Sequence, residues 1–287
     1  MWMNIDRKFK KQLSVVALLV LPMTAFANSS SDKELVDGRL VLEAGWSLYF
    51  FQDYANSEAL AKSLKGGRAD LNGAATLLLA NISYQRKQYQ ATLKLLQEHD
   101  ALADLYKSNG PGAYKNPHWS NDERTLYYRL KALSGKARYH LGQTDESVRM
   151  DLMDGLSYED KDPMISVPDI EGLQILALMS LSAGRYEEAI GYWGRVVVGG
   201  EKLAKSRDLS DKEKEFFHAT EYNIACAYSK LGKVERVLEW LGKSVSYKPE
   251  ERLEFILADR DLDNVRDDPR FLEFISGMKN QIKGATH

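Results

Sequence analysis

The stretch TEYNIACAYSKLGKVERVLEWLGKSVSYKP, Thr220 to Pro249, decides how this chain folds. Its apolar residues recur with the 3.6-residue period of a helix rather than the two-residue period of a strand. Ile224, Ala225, Tyr228 and Leu231 mark a first helix. Gly232-Lys233 breaks it, because glycine enters the left-handed conformation that ends helices at little cost. Val237, Leu238, Leu241 and Val245 mark a second helix, with Pro249 read as its stop. Two short amphipathic helices joined by a tight turn cannot bury their apolar faces alone and need neighbours of the same kind.

Weaker copies lie upstream. Leu176-Ala177, the turn Ala183-Gly184-Arg185-Tyr186, and Glu187-Glu188-Ala189-Ile190 with Trp193 repeat the arrangement. Leu79-Ala80 with Lys87-Gln88-Tyr89-Gln90-Ala91 supplies another pair. Leu141-Gly142-Gln143 supplies a further turn, although Ser147 and Asp151 depart from what a second helix should carry there. Gly45-Trp46 and Tyr54 to Leu64 form a candidate N-terminal pair. No alternating strand pattern occurs after residue 27. An ordinary helical bundle is the competing reading of such helices; several copies in register favour the repeat.

Large and small residues side by side (Ile224-Ala225, Leu176-Ala177), the aromatic Tyr228 one turn later and Leu231-Gly232-Lys233 resemble the tetratricopeptide (TPR) repeat. The resemblance is incomplete, since Val237 replaces the small residue that opens the second helix. It implies an all-α fold: a TPR-like solenoid of helical hairpins, wound as a right-handed superhelix, with a C-terminal capping helix. The segment Asp259-Arg-Asp-Leu-Asp-Asn-Val-Arg-Asp-Asp-Pro-Arg-Phe271 resembles the end-of-group segment that follows the last repeat in many TPR proteins. There Asp268 suits an N-cap and Pro269 the first helical position. Phe271, Phe274 and Ile275 give the last helix an apolar face, and Leu262 and Val265 do the same in a short preceding turn. Asp259, Asp261 and Asp263 alternate as in some calcium loops, but Leu262 intervenes and no glycine or closing glutamate follows, so a cap is expected and not a metal site.

The spacing between turns is long. Gly142 to Gly184 is 42 residues and Gly184 to Gly232 is 48, against about 34 in the repeat family, so the excess lies in loops or lengthened helices. Ser166-Val167-Pro168-Asp169 reads as a helix start, and Ser210-Asp211-Lys212-Glu213 as a capping box. The irregular stretch 108–121 is either a functional loop or, as most such segments are, a connector.

The first residues form a secretory signal pattern. Arg7, Lys8, Lys10 and Lys11 precede an apolar run from Leu13 to Leu21, followed by Ala25-Phe26-Ala27, with cleavage expected after Ala27. A retained anchor is the alternative; the run is short against the about 20 residues a span needs. Removal of four bases and one acid leaves 35 Lys+Arg against 40 Asp+Glu, a net charge of −5. That balance lacks the basic footprint of a nucleic-acid binder. Cys226 is the single cysteine, so no intrachain disulfide forms. The organisation expected is a signal peptide (1–27), N-terminal helical pairs (28–107), a loop (108–121), repeats (122–249) and a cap (250–287).

No G-x-S-x-G, H-E-x-x-H, P-loop or Rossmann pattern is present, and the five histidines are scattered. Cys226 lies between Ala225 and Ala227 without a cationic neighbour in sequence to lower its pKa, which reads as a structural thiol. Glu187-Glu188 reads as a solvated helix face. No enzyme activity, cofactor or metal is expected. The resemblance implies partner binding on a concave face lined by first helices, carried here by Gln174, Tyr222, Asn223, Cys226, Ser229 and Lys230. With Lys230 almost alone in charge, that face does not match the carboxylate clamp of some family members. The function expected is an exported, periplasmic or secreted scaffold for a protein or peptide partner, with no nucleic acid and no stable membrane span after cleavage. The aromatic cluster Trp46, Tyr49, Phe50 and Phe51 suggests a second reading, a structural subunit of a cell-envelope complex docking through that helix. A helical-superhelix enzyme acting on envelope glycans is a third, and requires paired carboxylates in a groove.

Overall fold

A computed structural model describes residues 30–65, 69–107, 122–159 and 169–285. The signal segment, the 108–121 stretch and residues 160–168 lie outside the described residues. Every regular element among the described residues is helical: α1 (Ser30–Phe50), α2 (Tyr54–Ser63), α3 (Ala69–Gln85), α4 (Tyr89–Lys107), α5 (Asp122–His140), α6 (Glu146–Glu159), α7 (Ile170–Ser182), α8 (Tyr186–Ser206), α9 (Asp211–Lys230), α10 (Val234–Ser244), α11 (Pro249–Ala258), a 3-10 turn (Arg260–Val265) and α12 (Pro269–Ala285). No described helix is long and apolar enough to cross a membrane. The chain divides into two compact units between Gln143 and Thr144.

The repeat is written in the backbone of the turns. Gln52, Lys87, Gly142, Gly184 and Gly232 all have positive φ, between 60° and 83°. At each, the N–H of the following residue bonds a carbonyl five residues back: Asp53 to Leu48, Gln88 to Ser83, Gln143 to Arg138, Arg185 to Ser180 and Lys233 to Tyr228, at 2.9–3.0 Å. The left-handed residue itself donates to the carbonyl three back, closing the Schellman arrangement that satisfies the last carbonyls of a helix. Glycine supplies the left-handed backbone in three of the five; glutamine and lysine adopt it in the others.

A second regularity fixes the packing. Seven residues before each left-handed position lies a small buried residue: Gly45, Ala80, Gly135, Ala177 and Ala225. Twelve residues after the small residue, in four of the five, the chain places a fully buried partner in the second helix, namely Ser57, Thr92, Ala189 and Val237. The first two carry hydroxyls that reach across the hairpin: Ser57 Oγ donates to the Gly45 carbonyl at 2.7 Å, and Thr92 Oγ1 to the Ala80 carbonyl at 3.5 Å. A small residue lets the helices approach, and the hydroxyl finds an acceptor without which its burial would cost about 1–3 kcal/mol. After Gly135 the equivalent position, Ser147, is exposed, so the departure noted in sequence is real.

In the first unit, α1 and α2 close over α3 through Tyr49, Ala61, Ala75, Leu78, Leu79 and Ile82. The α3–α4 hairpin packs on α5 through Leu77, Ala80, Tyr84, Leu96, Leu130, Leu133 and Ala137. In the second unit, Trp193 of α8 is fully buried among Ala177, Ala189, Ile224 and Ala227, joining the α7–α8 hairpin to α9. The α9–α10 hairpin is covered in turn by Ile256, Leu262, Val265, Phe271, Ile275 and Met278 of the C-terminal segment. An all-α helical repeat fold is therefore the architecture, with a cap of the expected kind burying the last hairpin's apolar face.

Three local expectations need correction. Pro249 does not simply stop α10, which ends at Ser244; it opens the separate helix α11, its missing N–H harmless at a first helical position. Asp169 itself caps α7, its Oδ1 accepting from Gly172 N–H at 3.1 Å, so the described helix starts one residue after the quoted motif. Glu188 is not a solvated acid. It accepts from Ser180 Oγ (2.9 Å), Arg185 Nε (2.7 Å) and Arg149 Nη2 (3.0 Å), linking α6, α7 and α8. Burial pushes its carboxyl upward, but Ser180 and the two arginines outweigh it and the net displacement is downward. The long spacing from Gly184 to Gly232 is taken up by helix length, since α8 has 21 residues and α9 has 20.

The capping box at Ser210 forms as expected. Glu213 Oε2 accepts from the Ser210 N–H at 2.8 Å, and Ser210 Oγ accepts from the Glu213 N–H. Arg207 adds two further bonds to the same carboxylate. These hold the Glu213 carboxyl at about 2, the Arg207 bonds being the largest cause. Because the folded pKa lies below the about 4.3 of a free glutamate, this contribution is in place above pH ~4.3 and is lost as pH falls toward 2. Glu213→Gln keeps the cap geometry but not the ion pair. Urea unfolding should show it less stable by about 1 kcal/mol near neutrality, with the difference closing below pH ~4.

Candidate functional site

The structure places the six first-helix positions expected to face a partner in two different situations. Gln174 and Asn223 are half-buried. Gln174 is also structural, its Oε1 accepting from the buried Trp193 Nε1 at 2.9 Å. Tyr222, Cys226, Ser229 and Lys230 lie along the α9 face that receives the chain's own cap. The Tyr222 hydroxyl donates to Asp259 Oδ2 at 2.7 Å, and the Cys226 thiol lies 3.8 Å from the same oxygen. Asn264 Nδ2 donates to the Ser229 carbonyl at 3.2 Å, and Lys230 pairs with Asp261 at 2.8 Å. A partner reaching this part of α9 would have to displace the 3-10 turn.

The alternating acids are each engaged. Asp259 also accepts the Asp261 N–H, Asp261 holds Lys230, and Asp263 pairs with Arg266 at 3.1 Å. Cys226, Asp259 and Asp261 offer ligand atoms within 4.8 Å of one another, but a tyrosine hydroxyl and a lysine already occupy those carboxylates. Burial, reinforced by Asp259, pushes the thiol well above its ordinary range, so it stays protonated at neutral pH. Burial likewise raises the Tyr222 hydroxyl and keeps it a donor. Cys226 should therefore react with iodoacetamide at least about tenfold more slowly in the native protein than in denaturant, as expected of a thiol with little thiolate; equal rates would contradict its placement under the cap.

A more open feature lies in the first unit, between α4 and α5. It is a groove of about 780 Å³ lined by Gln90, Lys94 and Gln97 on one side and Lys131, Ser134 and Arg138 on the other, with Gln143 at one end. Leu96 and Leu130 form a buried floor, with Leu93 beside them. The helices run antiparallel: Tyr89 at the start of α4 stacks on His140 at the end of α5, with ring centroids 4.7 Å apart. Each wall follows from helical spacing, which brings residues three, four and seven apart onto one face. Arg138 Nε donates to Gln143 Oε1 at 2.8 Å, tying the wall to the turn. The signal was present in sequence as two polar ladders, Gln90-Lys94-Gln97 and Lys131-Ser134-Arg138. It was missed because α4 is the second helix of its pair, to which the repeat resemblance gives no binding role.

The aromatic N-terminal cluster is divided between core and surface, with Trp46 and Phe51 half-buried. Tyr49 is buried and packs edge-on to Trp46 at 5.5 Å, and Tyr54 lies 5.7 Å from it. Phe50 remains 55% exposed.

No protein-family model matches the sequence, and no curated protein matches it. Among solved structures the chain is similar to BtubC (BKLC) from P. vanneervenii, at 11% identity over 86% of this chain and 93% of that one, with a TM-score of 0.46. It is also similar to a protein from Podosopora anserina described as a kinesin light chain with nearly identical TPR-like repeats. There the identity is 19% over 74% of this chain and 96% of that one, with a TM-score of 0.42. The repeat character of this chain is carried by its own five turns and their spacing.

Proposed function

We propose that this protein is an exported, non-catalytic TPR-like scaffold that binds a protein or peptide partner in the cell envelope. The observation that carries the binding reading is the α4–α5 groove, whose polar walls and leucine floor suit a peptide segment. The signal pattern at residues 1–27 supports export. On the first-helix face, Asn223 and Gln174 are the residues through which a partner would make contact without first displacing the cap.

Tagged protein recovered from the periplasmic fraction is expected to begin at Asn28. Recovery of the intact N-terminus in the cytosolic fraction would overturn the export reading. Pulldown from envelope extract is expected to give a stoichiometric partner that is lost with the Lys94→Glu, Lys131→Glu double variant. A partner retained by that variant but lost with Phe50→Ser would instead place docking on α1, the alternative favoured by the one exposed ring of the aromatic cluster.

A further inference from the structure

We infer that two copies of this chain exchange their caps, giving a dimer in which each cap covers the other copy's last hairpin. The cap, residues 249–285, is tethered to the repeats by the connection 245–248 between α10 and α11. Lys248 ends that connection in the left-handed conformation, φ 53° and ψ 62°, immediately before Pro249. A lysine is strained there, since its Cβ crowds the following carbonyl. A residue before proline ordinarily takes extended backbone. Gln52 and Lys87 are also left-handed, but each closes a Schellman turn and neither precedes a proline.

Opening the connection relieves that strain. Pro249 cannot continue α10, because inside a helix its ring would meet the carbonyl of Val245. The open form is therefore an extended hinge and not one long helix. No glycine in 245–248 eases the closed form. Short connections under strain favour exchange of the element they tether.

A second copy offers the surface that the cap already fits. Ile256, Leu262, Val265, Phe271, Ile275 and Met278 bury against the α9–α10 hairpin. Around them, Tyr222 donates to Asp259, Asn264 donates to the Ser229 carbonyl, and Lys230 pairs with Asp261. Arg252 reaches Glu215, and Arg270 reaches Glu235. Each of these contacts joins a residue before 245 to one after 248, so an identical cap from another copy remakes all of them. A foreign partner would need the same sequence to do so. The closed and exchanged states then differ by the hinge strain, which favours exchange, and by the entropy of association, which opposes it. The dimer accordingly grows with concentration. The cap must leave its apolar seat to cross, so a dimer once formed outlasts dilution.

The test uses the whole chain, as an equal mixture of unlabelled and heavy-isotope-labelled copies, concentrated and warmed to just below unfolding. Size-exclusion chromatography with light scattering is expected to give a dimer that persists on dilution. A carbodiimide then couples the Lys230 amine to the Asp261 carboxylate with loss of water, and mass spectrometry reads which copies are joined. Light-to-heavy Lys230–Asp261 links are expected in the dimer and absent from the monomer. Lys248→Gly adopts the left-handed backbone freely. It should lower the dimer fraction severalfold relative to Lys248→Ala, which loses the same ammonium but keeps the strain. Lys248→Pro fixes φ at about −65° and should raise the fraction; should that variant misfold, the comparison of Gly with Ala decides. A dimer linked only light-to-light and heavy-to-heavy, equal dimer fractions for Gly and Ala, or a chain that stays monomeric at every concentration would overturn the inference.

Discussion

Replacing Trp193 with alanine is expected to lower the unfolding free energy of the second unit by about 3–5 kcal/mol. The indole is fully buried at the point where the α7–α8 hairpin meets α9, among Ala177, Ala189, Ile224 and Ala227. Truncation removes its apolar surface and leaves a cavity that four small or branched neighbours on helices cannot close. It also strips Gln174 Oε1 of its donor. Trp193→Phe retains most of the ring volume and isolates that hydrogen-bond loss, which should cost nearer about 1 kcal/mol. Urea unfolding followed by far-UV circular dichroism separates the two. A loss under about 1 kcal/mol for the alanine variant would contradict the assigned packing.

Phe271→Ala should cost a comparable about 3–5 kcal/mol, but with a different signature. Phe271 is 1% exposed and anchors α12 in a core that includes Tyr222, Val237, Leu241, Leu262 and Val265. Its loss loosens the cap before the hairpins beneath it. The terminal hairpin then presents apolar surface to water, and solenoids without an end cap associate. Concentration-dependent association in size-exclusion chromatography is therefore expected. Cys226 alkylation should accelerate in the variant at temperatures where helical content is unchanged, because the thiol is covered by Asp259 of that segment. Slow alkylation up to global unfolding would show that the cap does not move independently.

The parts of this architecture legible in sequence are those where side-chain chemistry and backbone geometry coincide. Gly184 and Gly232 stand out because glycine is the usual left-handed residue at a helix end, and both turns form there. Pro269 and the Ser210 capping box are readable for the same reason. The first two hairpins are fainter because Gln52 and Lys87 adopt the left-handed backbone without glycine. Their crossing points carry Ser57 and Thr92, whose hydroxyls read as polar surface until their carbonyl acceptors are seen. A small residue, a turn seven later and a small or hydroxyl residue twelve later mark three of the four complete hairpins, and Val237 takes that last place in the fourth.

The candidate site was less legible. The repeat resemblance points to the first helix of each pair, and along α9 it led to Tyr222, Cys226, Ser229 and Lys230, which meet Asp259, Asn264 and Asp261 of the cap. Those contacts span more than 30 residues of chain, a separation at which local periodicity carries no information. The α4–α5 groove has the same difficulty, since its two walls are separated by the 108–121 stretch. Glu188 shows the converse: it reads as a surface acid because its ligands Arg149 and Ser180 come from other helices.

The central claim, that this repeat chain is a scaffold whose α4–α5 groove holds a partner, is tested most directly by photocrosslinking in cells. A benzoylphenylalanine placed at Gln97, on the groove wall, is expected to give one discrete adduct in the envelope fraction, lost with the Lys94→Glu, Lys131→Glu variant. The same probe at exposed Ala59 on α2, which does not line the groove, should give none. Absence of an adduct from Gln97, or the same adduct from both positions, would contradict the account.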